Sequence, residues 1–140
     1  MDEQAKDIDE EALKARVTRK AAKVTEEDAR RVVARERELN EKFKHVPEKL
    51  KKVVNQVKLL YELIRSYIDG SYREVPWMSI ATAVAAVVYF LAPIDLIPDA
   101  IPGLGYIDDI FVIRFALSAL GSDLKTFCEW KGYDLTKYFE

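Results

Sequence analysis

Four aspartates within fifteen residues are the side chains in this sequence with the clearest capacity for chemistry. Carboxylate oxygens are the ligands that Mg²⁺ and Ca²⁺ prefer, so the four could converge on one divalent cation. A cation held in this way would suit a hydrolase of phosphate esters. The candidate ligands are Asp95, Asp99, Asp108 and Asp109.

A structural role is also available to each of these aspartates, and we favour it. Asp95 and Asp99 can cap the short turns that follow them. Asp108 and Asp109 are expected in the first turn of the next helix, where carboxylates oppose the positive end of the helix dipole. On this interpretation the protein has no cofactor, and Mg²⁺ or Ca²⁺ remains the alternative.

Arg114 is the basic residue expected to compensate these carboxylates. It is the only lysine or arginine between Glu74 and Asp123, and it lies within an apolar run. A charge in such a setting should be paired, so we expect a structural ion pair between Arg114 and either Asp95 or Asp99.

Other catalytic chemistry has little support in the sequence. The chain has one cysteine, Cys128, and one histidine, His45, which excludes a disulfide framework and Cys/His zinc modules. Cys128 lies on an apolar helical face and is expected in the core. Phosphate-binding glycine loops, the Gly-x-Ser-x-Gly nucleophile motif and the His-Glu-x-x-His zinc motif are absent from the sequence. We therefore favour a protein that is not an enzyme.

The length and net charge further limit the possible classes of protein. A chain of 140 residues is long enough for one domain. Its 22 basic and 24 acidic residues give a net charge of −2, so no nucleic-acid partner is expected.

The charges are distributed unevenly along the chain. Residues 1–52 hold 15 basic and 13 acidic residues, whereas Val75–Ile94 holds none. This contrast predicts a charged helical N-terminal extension over residues 1–46 and a compact helical domain over residues 47–140. The extension could bind a protein partner.

Helical periodicity and capping signals predict helices over most of the chain. A capping box at Thr25 and Asp28 predicts a helix that continues to Val46. Apolar residues spaced three and four apart predict an amphipathic helix over Leu50–Ile68, ended by Gly70. Near the C-terminus, Ser122 is a candidate N-cap for a helix that Gly132 ends.

The segment 76–92 is apolar on all sides, which requires burial in a core or in a membrane. At seventeen residues it is slightly short for a bilayer span, and both alternatives stay open. The prolines and glycines that follow predict that residues 106–120 return antiparallel to it. The predicted fold is all-α: a small bundle round this apolar hairpin (about 76–92 and 106–120), with a Pro/Asp-rich turn and charged N-terminal helices.

The turn resembles the YkvA-like family, domain of unknown function 1232. The matching residues are the run from Pro93 to Asp99 (Pro-Ile-Asp-Leu-Ile-Pro-Asp), followed by Pro102, Gly103, Gly105, Asp108 and Asp109. The resemblance covers roughly residues 80–117. It implies a small bacterial-type protein of a family often labelled as membrane proteins, with no established activity.

These observations favour a non-enzymatic helical module that contacts a membrane or a protein partner through its apolar hairpin and amphipathic helix. Basic residues precede the apolar run and aspartates follow it, so the N-terminal half is expected on the cytoplasmic side. We favour peripheral or re-entrant membrane association, because burying Arg114 and four aspartates in lipid is costly. A soluble cytoplasmic protein is the alternative.

Overall fold

The computed structural model describes residues 10–91 and 104–139, with side chains over 11–91 and 110–139. These residues form helices and no strands, which confirms the all-α prediction. A short 3₁₀ helix, Glu48–Leu50, lies between the third and fourth α-helices. The α-helices are α1 Glu10–Ala22, α2 Glu26–Ala34, α3 Glu36–Lys44, α4 Lys51–Ile68, α5 Trp77–Leu91, α6 Leu104–Ala119, α7 Gly121–Lys131 and α8 Thr136–Phe139.

The apolar helix α5 occupies the centre of the described structure. It packs against α1, α2, α4 and α6, so its apolar surface is covered by other helices. The described helices include none that is long and apolar enough to cross a membrane. Packed against these neighbouring helices, α5 is a core helix of the described structure. Its buried residues are Ile80, Ala81, Ala83, Val84, Ala85, Ala86, Val87 and Phe90.

Helix α4 is the second central element and contacts α2, α5, α6 and α8. The middle of the predicted stripe is buried, and the stripe residues near the two ends of the helix are half-buried. Gly70 ends the helix with a φ of 88°, a conformation that favours glycine. Burial extends beyond the stripe to Leu59, Tyr61 and Leu63, because neighbouring helices cover more than one side of α4.

The helix predicted from Thr25 to Val46 is two helices, so its prediction as one was wrong. The capping box is confirmed: the Thr25 hydroxyl accepts from the Asp28 amide, and the Asp28 carboxylate accepts from the Thr25 amide. The helix then breaks at Arg35 (φ −99°, ψ 26°). An unbroken helix would place Glu36 on the face of Val32, four residues earlier. With the break, Glu36 is exposed while Leu39 is still buried.

Helices α5 and α6 run antiparallel, as predicted. The Ser79 hydroxyl at the start of α5 donates to the Asp123 carboxylate, 2.5 Å away, just beyond the end of α6. Ser122 is not the cap of α7, because that helix begins one residue earlier, at Gly121. Gly132 ends α7 with a φ of 78°, as predicted.

The N-terminal helices contribute to the same core as the rest of the chain. Both α1 and α2 pack against α5, although α1 buries a single row of three apolar residues. This packing favours one folded unit, and the boundary near residue 46 stays a prediction. Helices α1, α2 and α3 contribute six apolar residues to the core: Leu13, Val17, Ala21, Ala29, Val32 and Leu39.

Candidate functional site

The predicted cation ligands are only partly within the described structure. Asp95 and Asp99 lie outside the described residues, and the side chains of Asp108 and Asp109 are not described. The backbone of α6 begins at Leu104, so Asp108 and Asp109 lie in its second turn and the prediction of a first-turn position was wrong. Within the described parts of the chain, no group of three His, Cys, Asp or Glu residues could hold a metal ion. The metal site stays a prediction.

Arg114 is exposed on α6, although it lies in an apolar run. The buried positions on either side are Val112, Ile113 and Ala116, which carry the core-facing surface of the helix. An exposed guanidinium does not need a buried partner. The ion pair with Asp95 or Asp99 stays a prediction, because both aspartates lie outside the described residues.

The exposed side of α1 carries a concentrated positive charge that the sequence analysis did not single out. Residues 12–25 hold five basic residues and no acidic residue. Four of the five lie at spacings of three and four and so form one stripe along α1 and the turn that follows it. We call this set the basic stripe: Arg16, Arg19, Lys20 and Lys23, all exposed.

The basic stripe lies next to α5. The Arg16 guanidinium donates to the Tyr89 hydroxyl at 3.3 Å. Lys20 and Lys23 line a cleft of about 290 Å³ whose apolar wall includes Val84 and Val88. Positive side chains therefore border apolar surface at this edge of the bundle.

Helix α2 and the residue after it add two arginines and one carboxylate to this cleft, and we call the whole feature the basic cleft. Arg31 pairs with Asp28 at 3.3 Å, and Arg35 pairs with Glu38 at 2.9 Å. Hydrogen bonds from Thr25, and then the charge of Arg31, hold the pKa of Asp28 below its usual value. The described lining thus holds four cations and one carboxylate, and two of the cations, Arg31 and Arg35, are paired with carboxylates.

A second cleft, of about 410 Å³, lies between α3 and α4 and is electrostatically balanced. Its lining includes the cations Lys58, Arg65 and Lys131 and the acids Glu36, Glu62 and Asp69. Glu62 also accepts a hydrogen bond from Tyr133, which raises the pKa of Tyr133 to about 12. The charges in this cleft compensate one another, and we assign them a structural role.

Aromatic side chains cluster at the end of the bundle that holds the α4–α5 connection. Tyr72 contacts Phe127 and Trp130, with ring centroids 5.0 and 4.9 Å away. Trp130 and Met78 are the large apolar residues most exposed among those described, at 50% and 54%. Exposed apolar side chains of this kind are ordinary on protein surfaces.

Cys128 is a core residue, as predicted. It is fully buried on α7, and this burial raises the pKa of its thiol to about 11. A thiol with this pKa is protonated at neutral pH and is a weak nucleophile. Cys128 therefore does not provide an active-site nucleophile.

Comparison with known proteins confirms the resemblance seen in the proline- and aspartate-rich turn. Residues 79–115, from α5 to α6, match the family model described as "Protein of unknown function (DUF1232)". The chain is also 28% identical over 78 residues to "Uncharacterized membrane protein YkvA" of Bacillus subtilis (strain 168), covering 56% of this chain and 74% of that relative. No solved structure matched the chain. The segment 79–115 is thus a YkvA-like, DUF1232 segment.

Proposed function

We propose that this protein is a non-enzymatic helical module that associates peripherally with an anionic membrane surface through the basic stripe of α1. The observation that carries the proposal is the acid-free run over residues 12–25, with its cations exposed along one helix. The name of the Bacillus relative, which describes a membrane protein, adds support.

The contact surface differs from the one expected from the sequence. Most apolar residues of α4 and α5 are buried or half-buried against other helices, so inserting these faces in lipid would require the bundle to open. The basic stripe needs no such rearrangement, because its side chains already face solvent. Binding through it would orient α1 parallel to the membrane surface.

Electrostatic attraction of this kind has a predictable size. A lysine or arginine near an anionic leaflet contributes about 1 kcal/mol, and salt screens that contribution. Four such residues in the basic stripe could together change the affinity by two orders of magnitude or more. The negative net charge of the whole chain does not prevent this, because attraction depends on the local charge within about 10 Å.

Co-sedimentation with lipid vesicles tests the proposal. We expect binding to vesicles of phosphatidylcholine and phosphatidylglycerol in equal amounts, and little binding to phosphatidylcholine alone. Replacing the basic stripe (Arg16→Gln, Arg19→Gln, Lys20→Gln and Lys23→Gln) should weaken binding at least about tenfold. Raising the salt concentration should weaken the binding of the original protein in the same direction.

A matched control separates the position of the charge from its amount. The variant Arg37→Gln, Lys44→Gln, Lys49→Gln and Lys51→Gln also removes four exposed cations, and it should keep its affinity. Equal losses in the two variants, or equal binding to uncharged vesicles, would contradict the proposal. Binding to an acidic protein but not to vesicles, if lost in the stripe variant, would assign the surface to a protein partner instead.

A further inference from the structure

A third cleft lies on the side of α1 away from the basic stripe, where that helix packs against α6. Leu13 and Val17 of α1 form one wall, and Phe111 and Phe115 of α6 form the other. Leu13 and Val17 are one helical turn apart, as are Phe111 and Phe115, so each pair presents a row along its helix. The cleft measures about 340 Å³.

The charged residues among the described lining of this cleft are both cations. Lys14 extends from α1 and Arg114 from α6, and both side chains are exposed. Among the described side chains, Lys14 pairs with the Glu11 carboxylate at 3.9 Å, and this pair is weak because Glu11 is 88% exposed. No carboxylate is among the described lining residues. An apolar cleft with two cations is complementary to a ligand that has an apolar body and an anionic end.

The dimensions fit one acyl chain. The α6 residues that line the cleft span positions 111–119, which corresponds to about 12 Å along the helix axis. The volume is at the lower end of the range of ligand pockets, about 300–1,000 Å³. A two-chain lipid would exceed this space, whereas a single chain of medium length would occupy it.

We infer that the cleft between α1 and α6 binds a fatty acid, with its carboxylate at Arg114 and Lys14 and its acyl chain against Leu13, Val17, Phe111 and Phe115. The guanidinium of Arg114 can donate two parallel hydrogen bonds to a carboxylate. This assignment gives the only cation between Glu74 and Asp123 a function on its exposed face. It is independent of the membrane proposal, which depends on the basic stripe and not on Arg114.

Calorimetric titration with laurate, kept below its micellar concentration, tests the inference. We expect saturable binding of one laurate per chain, and at least about tenfold weaker binding of dodecyltrimethylammonium, because the cleft would repel a cationic head group. In methyl-resolved NMR, laurate should shift the signals of Val17 and Val112, which are buried at this cleft.

Two variants locate the site without disturbing the core. Arg114→Gln should weaken laurate binding at least about fivefold, because a charge-assisted hydrogen bond to the carboxylate is lost. Ala119→Phe places a ring in the cleft from an exposed position and should also weaken binding. Arg37→Gln, which removes an exposed arginine from α3, is the matched control and should bind as the original protein does.

Several outcomes would overturn the inference. These are no laurate binding by the original protein, equal affinity for laurate and dodecyltrimethylammonium, or equal effects of Arg114→Gln and Arg37→Gln. Signal shifts confined to residues outside the cleft would do the same. A stripe variant that loses vesicle binding but keeps laurate binding would support both assignments separately.

Discussion

Among single residues, Thr25 and Asp28 have the best-defined local electrostatics in the charged N-terminal half. Each side chain accepts a hydrogen bond from the other residue's backbone amide, at 3.2 and 2.9 Å. The arrangement satisfies two amides at the start of α2 that would otherwise lack partners within the helix. It also holds Asp28 beside the positive end of the helix dipole, which favours the ionised carboxylate.

The lowered pKa of Asp28 predicts a pH-dependent stability. Because the folded state prefers the ionised form, this contribution is fully present above the unfolded pKa of about 3.8 and is lost as the pH falls through the lower folded value. Asp28→Asn should therefore lower the free energy of unfolding by about 0.5–1 kcal/mol at neutral pH. The difference from the original protein should shrink in acid.

Urea unfolding at a series of pH values measures this effect. Glu27→Gln is the control, since it removes a carboxylate from the same helical turn without breaking the capping box. We expect its effect to be smaller. A penalty for Asp28→Asn that stays constant at pH values well below the ordinary aspartate pKa would refute the assignment.

At the scale of helices, α1 has two roles on different sides. Leu13, Val17 and Ala21 face the core, while the basic stripe faces solvent and Lys14 lines the cleft beside α6. A thin apolar stripe is enough here because α5 presents small side chains, several of them alanines, that allow helices to approach closely. The same helix thus joins the core and presents a row of exposed cations to solvent.

The connection between α5 and α6 is the element on which the metal hypothesis depends. We favour structural roles for its aspartates, so millimolar Mg²⁺ or Ca²⁺ should leave the thermal midpoint unchanged within about 1 °C. A resident cation would act differently: at one hundred times its dissociation constant it would stabilise the fold by about 2.7 kcal/mol. Differential scanning calorimetry with and without chelator distinguishes the two cases.

The control for this experiment is the variant Asp95→Asn, Asp99→Asn, Asp108→Asn and Asp109→Asn. A midpoint that rises with Mg²⁺ or Ca²⁺ in the original protein, and not in this variant, would establish the cation site. That result would also make hydrolysis of phosphate esters a candidate function.

At the scale of the whole molecule, the contacts of α1 and α2 with α5 indicate one cooperative unit. Val17 is 2% exposed on α1 and belongs to the same apolar cluster as Phe127 on α7. An independent N-terminal extension would unfold without affecting the remainder, whereas a shared core would not.

Val17→Ala tests this cooperativity. Removing two buried carbons should destabilise the protein by about 1–3 kcal/mol. If the unit is single, the denaturation midpoint should shift equally for helical circular dichroism and for the fluorescence of Trp77 and Trp130, which lie outside α1–α3. Thr18→Ala, at the neighbouring exposed position, should lower neither midpoint, because alanine is the better helix former. A shift in circular dichroism alone would support a separate extension over residues 1–46.

Most of the local structure could be predicted from the sequence, because its causes lie within a few residues. The Thr25 capping box, the glycines that end α4 and α7, and the three-and-four spacing along α4 each depend on neighbours in the chain. The break at Arg35 and the start of α7 at Gly121 were missed. Neither involves a proline or a capping side chain, and both depend on which residues the rest of the fold buries.

The candidate sites were less predictable for the same reason. The acid-free run over residues 12–25 is visible in the sequence, but its exposure depends on how α1 packs on α5. The cleft beside Arg114 could not be inferred, because its two walls are about one hundred residues apart in the chain. Arg114 itself was expected to be paired within an apolar setting, and only the rotation of α6 against the core places it at the surface.

The sequence by itself determined that this protein is helical, where its main helices lie, and that it contains a YkvA-like segment. Periodicity, capping and a long specific motif are properties of the chain alone. Only the tertiary structure decided that α5 is covered by other helices, since an all-apolar helix is compatible with a core or a membrane until its neighbours are known. It also decided which cations face solvent and which apolar rows border a cleft, because both follow from the packing of helices that are distant in the chain.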